Sequence, residues 1–220
     1  MRTHVTTVYT DLAALPKSFD QVFAGAGNLS PFFSLSWYRN FIASALAPDL
    51  RPRIYAVETA AAPNRARAVL LMCNRDTESG VFGANTLRGL SNYYTSLFGP
   101  VLDPGEPDAH QMFDRFTTAI ARDEIRWDVV DLNPLAVDTP DFLALVKAFR
   151  NANFIVQRYF CFGNWYLQLR GRTYAEYFES LPSQLKNTIR RRKKQVEKAG
   201  RLKMVIYKDG IVHAQLQASG

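Results

Sequence analysis

Two runs, Ile54-Tyr55-Ala56-Val57 and Ala68-Val69-Leu70-Leu71-Met72-Cys73, are apolar at every position. A strand with one wet face alternates apolar and polar residues. A strand apolar on both faces lies inside a sheet that is covered on both sides. Arg53–Glu58 is therefore expected as a central strand, Ala61–Arg65 reads as a turn, and Arg67–Asn74 as a second strand. The longer run is far too short to cross a bilayer. Together with the element order that follows, these two segments are expected to belong to an α/β domain.

The flanking sequence supplies those helices and further strands. His4–Thr10 alternates as a first strand, and Ser18–Ala24 sets Phe19, Val22 and Phe23 on one helical face. Ser34 is an N-cap ahead of Trp37, Tyr38, Phe41, Ile42 and Ala45 at helical spacing, and Pro48 ends that helix. After a loop holding Gly80 and Gly83, Thr86–Thr95 reads as the third central strand. Asp103-Pro104-Gly105-Glu106-Pro107 breaks the chain before a helical stripe of Ala109, Met112, Phe113, Phe116, Ala119 and Ile120. Trp127–Asn133 is a strand. Thr139-Pro140 starts a helix that buries Phe142, Leu145, Val146 and Phe149. Phe154–Tyr159 and Trp165–Leu169 complete the strands. The order from 4 to 170 is β-α-α-β-β-β-α-β-α-β-β, expected as one domain (1–170) built on a mixed sheet.

Residues 171–220 differ in kind. Thr173-Tyr174-Ala175-Glu176 is a capping box opening a short helix that Pro182 stops. Ser183 starts a longer helix with a narrow apolar stripe of Leu185, Ile189, Val196 and Ala199, and Gly200 closes it. Leu202, Met204 and Ile206 then alternate as a strand. One helix pair and one strand cannot form a core, so this stretch is expected either to lean on the first domain or to begin a second, incomplete one.

Charge separates the two parts further. The 220 residues carry a net charge of +7, and 47% of them are hydrophobic, as in an ordinary globular protein. Lys186–Lys203 holds nine Lys and Arg against Glu197 alone, so that window carries +8 and the rest of the chain −1. The basic face has three readings: a solvated outer surface, a grip on a phosphate such as that of a nucleotide cofactor, or a nucleic-acid or anionic-lipid contact. No aromatic residue interrupts Arg190–Lys203, which argues against base stacking, and a nucleic-acid partner is not expected.

Cys73 and Cys161 both lie in apolar, strand-like runs and are expected as buried free thiols of a cytoplasmic protein. His4, His110 and His213 are scattered, no CxxC or HxxxH occurs, and no metal is expected. Met1–Thr7 has no apolar stretch, so no leader peptide is expected there.

Two passages carry a family resemblance. One is Pro31-Phe32-Phe33-Ser34-Leu35-Ser36-Trp37. The other is Tyr174-Ala175-Glu176-Tyr177-Phe178 followed by Leu181-Pro182-Ser183-Gln184-Leu185-Lys186-Asn187-Thr188-Ile189-Arg190-Arg191-Arg192. With the element order, they resemble the tandem branch of the GNAT acyltransferases, which includes CelD-like proteins and Fem-type peptidyltransferases. The second passage is similar to the opening of a BioF2-like acetyltransferase repeat. The resemblance implies a GNAT-like mixed sheet followed by the first helix and strand of a second repeat, with another polypeptide as a possible source of the remainder. It also implies an N-acyltransferase of cell-envelope or polysaccharide metabolism. An amine of a small molecule, saccharide or peptide would attack an acyl-CoA thioester directly. GNAT proteins hold the pyrophosphate on an Arg/Gln-x-x-Gly-x-Gly/Ala turn. Here Ser96-Leu97-Phe98-Gly99-Pro100-Val101-Leu102-Asp103-Pro104-Gly105 departs from it in spacing, lacks an Arg, and has prolines where donors are needed. The resemblance thus places the acyl donor in the second repeat, with Arg190, Arg191 and Lys194 as candidate CoA-binding residues. A non-catalytic binding module of degenerate GNAT fold is the alternative.

Candidate site residues follow from the strand ends. Tyr93 and Tyr94 end the third central strand, either as proton donors lining an amine-accepting groove or as sheet packing with surface hydroxyls. Asp131 could take a proton from an attacking ammonium and Asn133 could orient a carbonyl. Both equally suit a strand-end turn before Pro134. Trp37 reads as a core anchor, and Arg39 as either a substrate contact or a solvated charge.

Overall fold

A computed structural model describes residues 4–60, 65–75, 83–106, 108–163, 167, 171–200, 203–208 and 211–217. The chain divides into two units, 1–164 and 165–220. The first is α/β. Its elements are β1 (His4–Tyr9), α1 (Phe19–Gly27), α2 (Leu35–Ser44), β2 (Leu50–Thr59), β3 (Ala66–Arg75), β4 (Thr86–Gly89), β5 (Val101–Leu102), α3 (Ala109–Ala121), β6 (Val129–Asp131) and α4 (Pro140–Asn151).

The strands form one mixed sheet in the order β1-β2-β3-β4-β6, with β5 also on β3. β1 to β4 pair antiparallel, and β4 with β6 is the parallel pair. Alternation along β2 and β3 divides the core. Ile54, Ala56, Val69, Leu71 and Cys73 face Phe19, Val22 and Phe23 of α1 and Tyr38 and Phe41 of α2. Tyr55, Val57, Leu70 and Met72 face Met112, Phe113, Phe116 and Ile120 of α3 and Leu145, Ala148 and Phe149 of α4. Each of these large side chains contributes about 1.5–3 kcal/mol by leaving water. The two-sided apolar strands are thus covered on both faces, as their sequence requires.

The helix starts are chemically marked. Ser34, Asp108 and Thr139 accept hydrogen bonds from the backbone N–H groups of Trp37, Gln111 and Phe142, at 3.2, 3.0 and 3.2 Å. A buried polar hub ties β2 to the chain after α3. Asp123, with its side chain 1% exposed, accepts from both the Nε and Nη2 groups of Arg53. It also accepts from the Tyr55 hydroxyl and, at 3.2 Å, from the Trp127 indole.

Several expected strands are shorter or missing. Thr86–Thr95 pairs only to Gly89. A Cβ at Gly89 would lie 2.7 Å from the Phe98 ring, so the bare backbone there lets the chain fold back on itself. The other half of β3 is filled by β5, which was not expected. Of Trp127–Asn133 only Val129–Asp131 pairs, because the Trp127 ring is held by Arg53, whose guanidinium lies 5.6 Å from its centroid. Phe154–Tyr159 forms no strand. Phe154 and Val156 are drawn into the α3–α4 core instead. The strand expected at Trp165–Leu169 lies outside the described residues apart from Leu167. Cys73 is buried, but Cys161 is exposed, since its run has no sheet to enter.

The second unit contains α5 (Tyr174–Ser180), α6 (Ser183–Ala199), β7 (Lys203–Lys208) and β8 (Ile211–Gln217). Thr173 and Glu176 make the expected capping box, and Gly200 ends α6 with φ +62°. β7 and β8 pair antiparallel, β8 being unanticipated. Among residues 171–200 none is buried.

Candidate functional site

The parallel pair positions the site. β4 and β6 align Thr86 with Val129, Leu87 with Val130 and Arg88 with Asp131, so both strands end at the same side of the sheet. Successive side chains take opposite faces. Leu87, Val130 and Leu132 enter the α3–α4 core, which leaves Asp131 on the other face.

The loop after β4 is fastened to the loop after β6. The Ser91 hydroxyl donates to the Asn133 carbonyl at 2.6 Å, and the Phe98 N–H donates to the Pro134 carbonyl at 2.7 Å. Between these anchors Asn92 and Thr95 clasp a turn. The Asn92 N–H donates to Thr95 Oγ1 at 3.0 Å. The Tyr94 N–H donates to Asn92 Oδ1 at 3.0 Å, and the Thr95 N–H donates to the Asn92 carbonyl at 2.9 Å. Thr95 is buried, whereas Tyr93 and Tyr94 at the tip are 93% and 77% exposed. Their rings meet edge to face with centroids 5.7 Å apart. The two tyrosines therefore stand on a pinned turn rather than at the end of a strand, a correction to the sequence reading. Neither packs in the sheet.

Asp131 accepts a hydrogen bond from the Tyr159 hydroxyl at 2.7 Å. That bond, with some burial, pushes the Tyr159 hydroxyl up to about 12, so it keeps its proton at neutral pH. Tyr159 escaped the sequence reading because its run looked like a strand. Asn92 and Thr95, three apart, carried a legible turn signal that was also passed over. The structure brings Tyr93, Tyr94, Asp131 and Asn133 to two joined loops. Arg39 is exposed on α2, and among the described residues nothing ties it to those loops.

The turn at 103–108 has little left to offer an anion. The Gly105 N–H donates to Asp103 Oδ1 at 3.1 Å and the Glu106 N–H to the Asp103 carbonyl at 2.8 Å. The Asp108 N–H reaches Glu106 Oε1 at 3.3 Å, and the Gln111 N–H is taken by Asp108. Three carboxylates occupy the start of α3, where a phosphate would need open amides. Arg65 and Arg67 answer Asp103 at 2.9 and 3.5 Å.

On α6 the candidate triad splits. Arg190 reaches Glu179 at 3.3 Å and lies 5.2 Å over the Phe178 ring, and Lys186 meets the same Glu179 at 3.0 Å. These contacts pin α6 to α5. Arg191 and Lys194 are exposed, and among the described residues their side chains make no ion pair. Among the described residues, no group of three or more His, Cys, Asp and Glu side chains is placed to hold a metal, and no helix is long and apolar enough to cross a membrane. In comparisons with known proteins, the chain matches no family model, no curated protein and no solved structure.

Proposed function

We propose that the chain belongs to a GNAT-type N-acyltransferase whose first unit recognises the amine acceptor. The parallel β4–β6 pair, closing an otherwise antiparallel sheet, carries this reading. At its strand ends stand Asp131 and, on the loops that follow, Asn133 and the exposed Tyr93–Tyr94 tip, where an acceptor would bind. In the reaction the amine nitrogen would attack the thioester carbonyl, the C–S bond would break, and CoA would leave as the thiol. Asp131 would hold the incoming ammonium and take its proton. The first unit supplies orientation rather than an activated nucleophile. The donor's phosphates fall to Arg191 and Lys194 on α6, because Arg190 is already engaged.

The filled amides of 103–108 favour a second reading, a binding module without catalysis. Calorimetry with acetyl-CoA, followed by a thiol-release assay with amine acceptors, separates the two. The acyltransferase reading expects acetyl-CoA binding that weakens in Arg191→Ala/Lys194→Ala. Amine binding at the 91–95 loop without acetyl-CoA binding or thiol release would leave the binding module.

A further inference from the structure

Arg88 and Asp131 are register partners on neighbouring parallel strands, so their side chains leave the sheet on the same face. That face is the α1–α2 side, because Leu90, two residues beyond Arg88, is buried there. Neighbouring strands lie about 4.8 Å apart, close enough for a direct ion pair. Among the described residues none forms: Asp131 is turned to the Tyr159 hydroxyl, and the exposed Arg88 guanidinium has no carboxylate partner. A cation and an anion therefore stand side by side, unneutralised by each other, at the ends of the β4–β6 pair. The exposed Tyr93–Tyr94 rings lie on the loop that leaves the sheet just past Arg88.

We propose that the acceptor carries a carboxylate beside its amine, as an amino acid or short peptide does. This rests on the reading that the β4–β6 ends are the acceptor site. Arg88 offers the carboxylate a planar fork of N–H donors. Asp131 receives the ammonium, and the tyrosine rings cover an apolar side chain.

The test is an NMR titration of the whole chain with alanyl-alanine, its methyl ester and glucosamine. The free dipeptide is expected to shift resonances of Arg88–Thr95 and Asp131, with the ester bound roughly 10-fold more weakly for loss of one charged contact. Arg88→Gln should remove that difference while leaving the spectrum of the core unchanged. Equal affinity for dipeptide and ester, equal weakening of both by Arg88→Gln, or binding of glucosamine alone would overturn the carboxylate requirement and leave the acceptor site standing. Silence of these residues toward all three probes would overturn both.

Discussion

Arg53 and Arg190 each bridge two elements through a carboxylate, Arg53 from β2 to the chain after α3, and Arg190 from α6 back to α5. The side chains of Arg53 and Asp123 are 6% and 1% exposed, and Tyr55 and Trp127 complete the shell of donors. Those of Arg190 and Glu179 are 59% and 65% exposed. The side chains of the first pair are out of water, where losing a partner costs more than at the surface, although the exposed Glu124 also reaches Arg53 at 3.1 Å. The second is bathed in water, where screening leaves it weak. The contrast runs through both units. Residues 4–163 bury aromatic side chains on both sides of a sheet. Residues 171–200 present an amphipathic helix whose Leu185 and Val196 remain 45% and 40% exposed. An uncovered stripe of that kind is half of a packing layer.

The largest expected effect that could break this comparison comes from the core. Phe116→Ala, at a fully buried position on α3, should lower the stability of the first unit by about 3–5 kcal/mol in urea melts. Leu185→Ala should change unfolding by no more than ~0.5 kcal/mol. Similar losses at both positions would mean that α6 is packed as a core helix.

Asp123→Asn comes next, with a loss of about 2–3 kcal/mol as Arg53 gives up its buried charged acceptor and keeps only the exposed Glu124 at 3.1 Å. Burial by itself would raise the Asp123 carboxyl. Hydrogen bonds from Arg53, Tyr55 and Trp127 outweigh burial and hold it below its ordinary range. A depressed carboxylate contributes stability that is complete above its unfolded value, near ~3.9, and is lost as pH falls through the folded one. Wild-type stability should therefore drop below about pH 4, and Asp123→Asn should lack that component in acid titrations followed by circular dichroism. An identical acid profile in the variant would contradict the hub.

The smallest effect concerns the thiols within the first unit. Burial pushes the Cys73 thiol up to about 11, while Cys161 is exposed. A thiol reagent at pH 8 should label Cys161 quickly and Cys73 only on unfolding. Rapid labelling of both would show that the sheet opens at β3.

What the sequence made legible was whatever local periodicity decides. The strands at 54–57 and 68–73, the stripes of α1 and α3 and the Thr173–Glu176 capping box reappear where pattern alone placed them, whereas Ala45 is exposed past the end of α2 and α4 buries Ala148 in place of Phe142 and Val146. It was less informative where tertiary contacts override a strand-like run. Thr86–Thr95 stops at Gly89 because Phe98 folds over that glycine, and Phe154–Tyr159 gives Phe154 and Val156 to a helix layer while Ile155 stays exposed. The site shares this division. Tyr93, Tyr94, Asp131 and Asn133 were visible as polar or aromatic strand-end residues. Arg88 gains its meaning only from its register against Asp131, and Tyr159 only from the hydrogen bond its loop brings to that carboxylate. Asp123 followed a helix end and gave no sign of the arginine it meets on β2.

Native-state hydrogen exchange tests the central contrast between the two units most directly. Amides of β2 and β3, such as Val57 and Leu71, should exchange only through global unfolding of the first unit. Those of α6 around Arg191–Val196 should exchange orders of magnitude faster, as expected of a helix without a buried face. Equal protection of α6 and β3 would contradict the account, because it would mean that both units share one cooperative core.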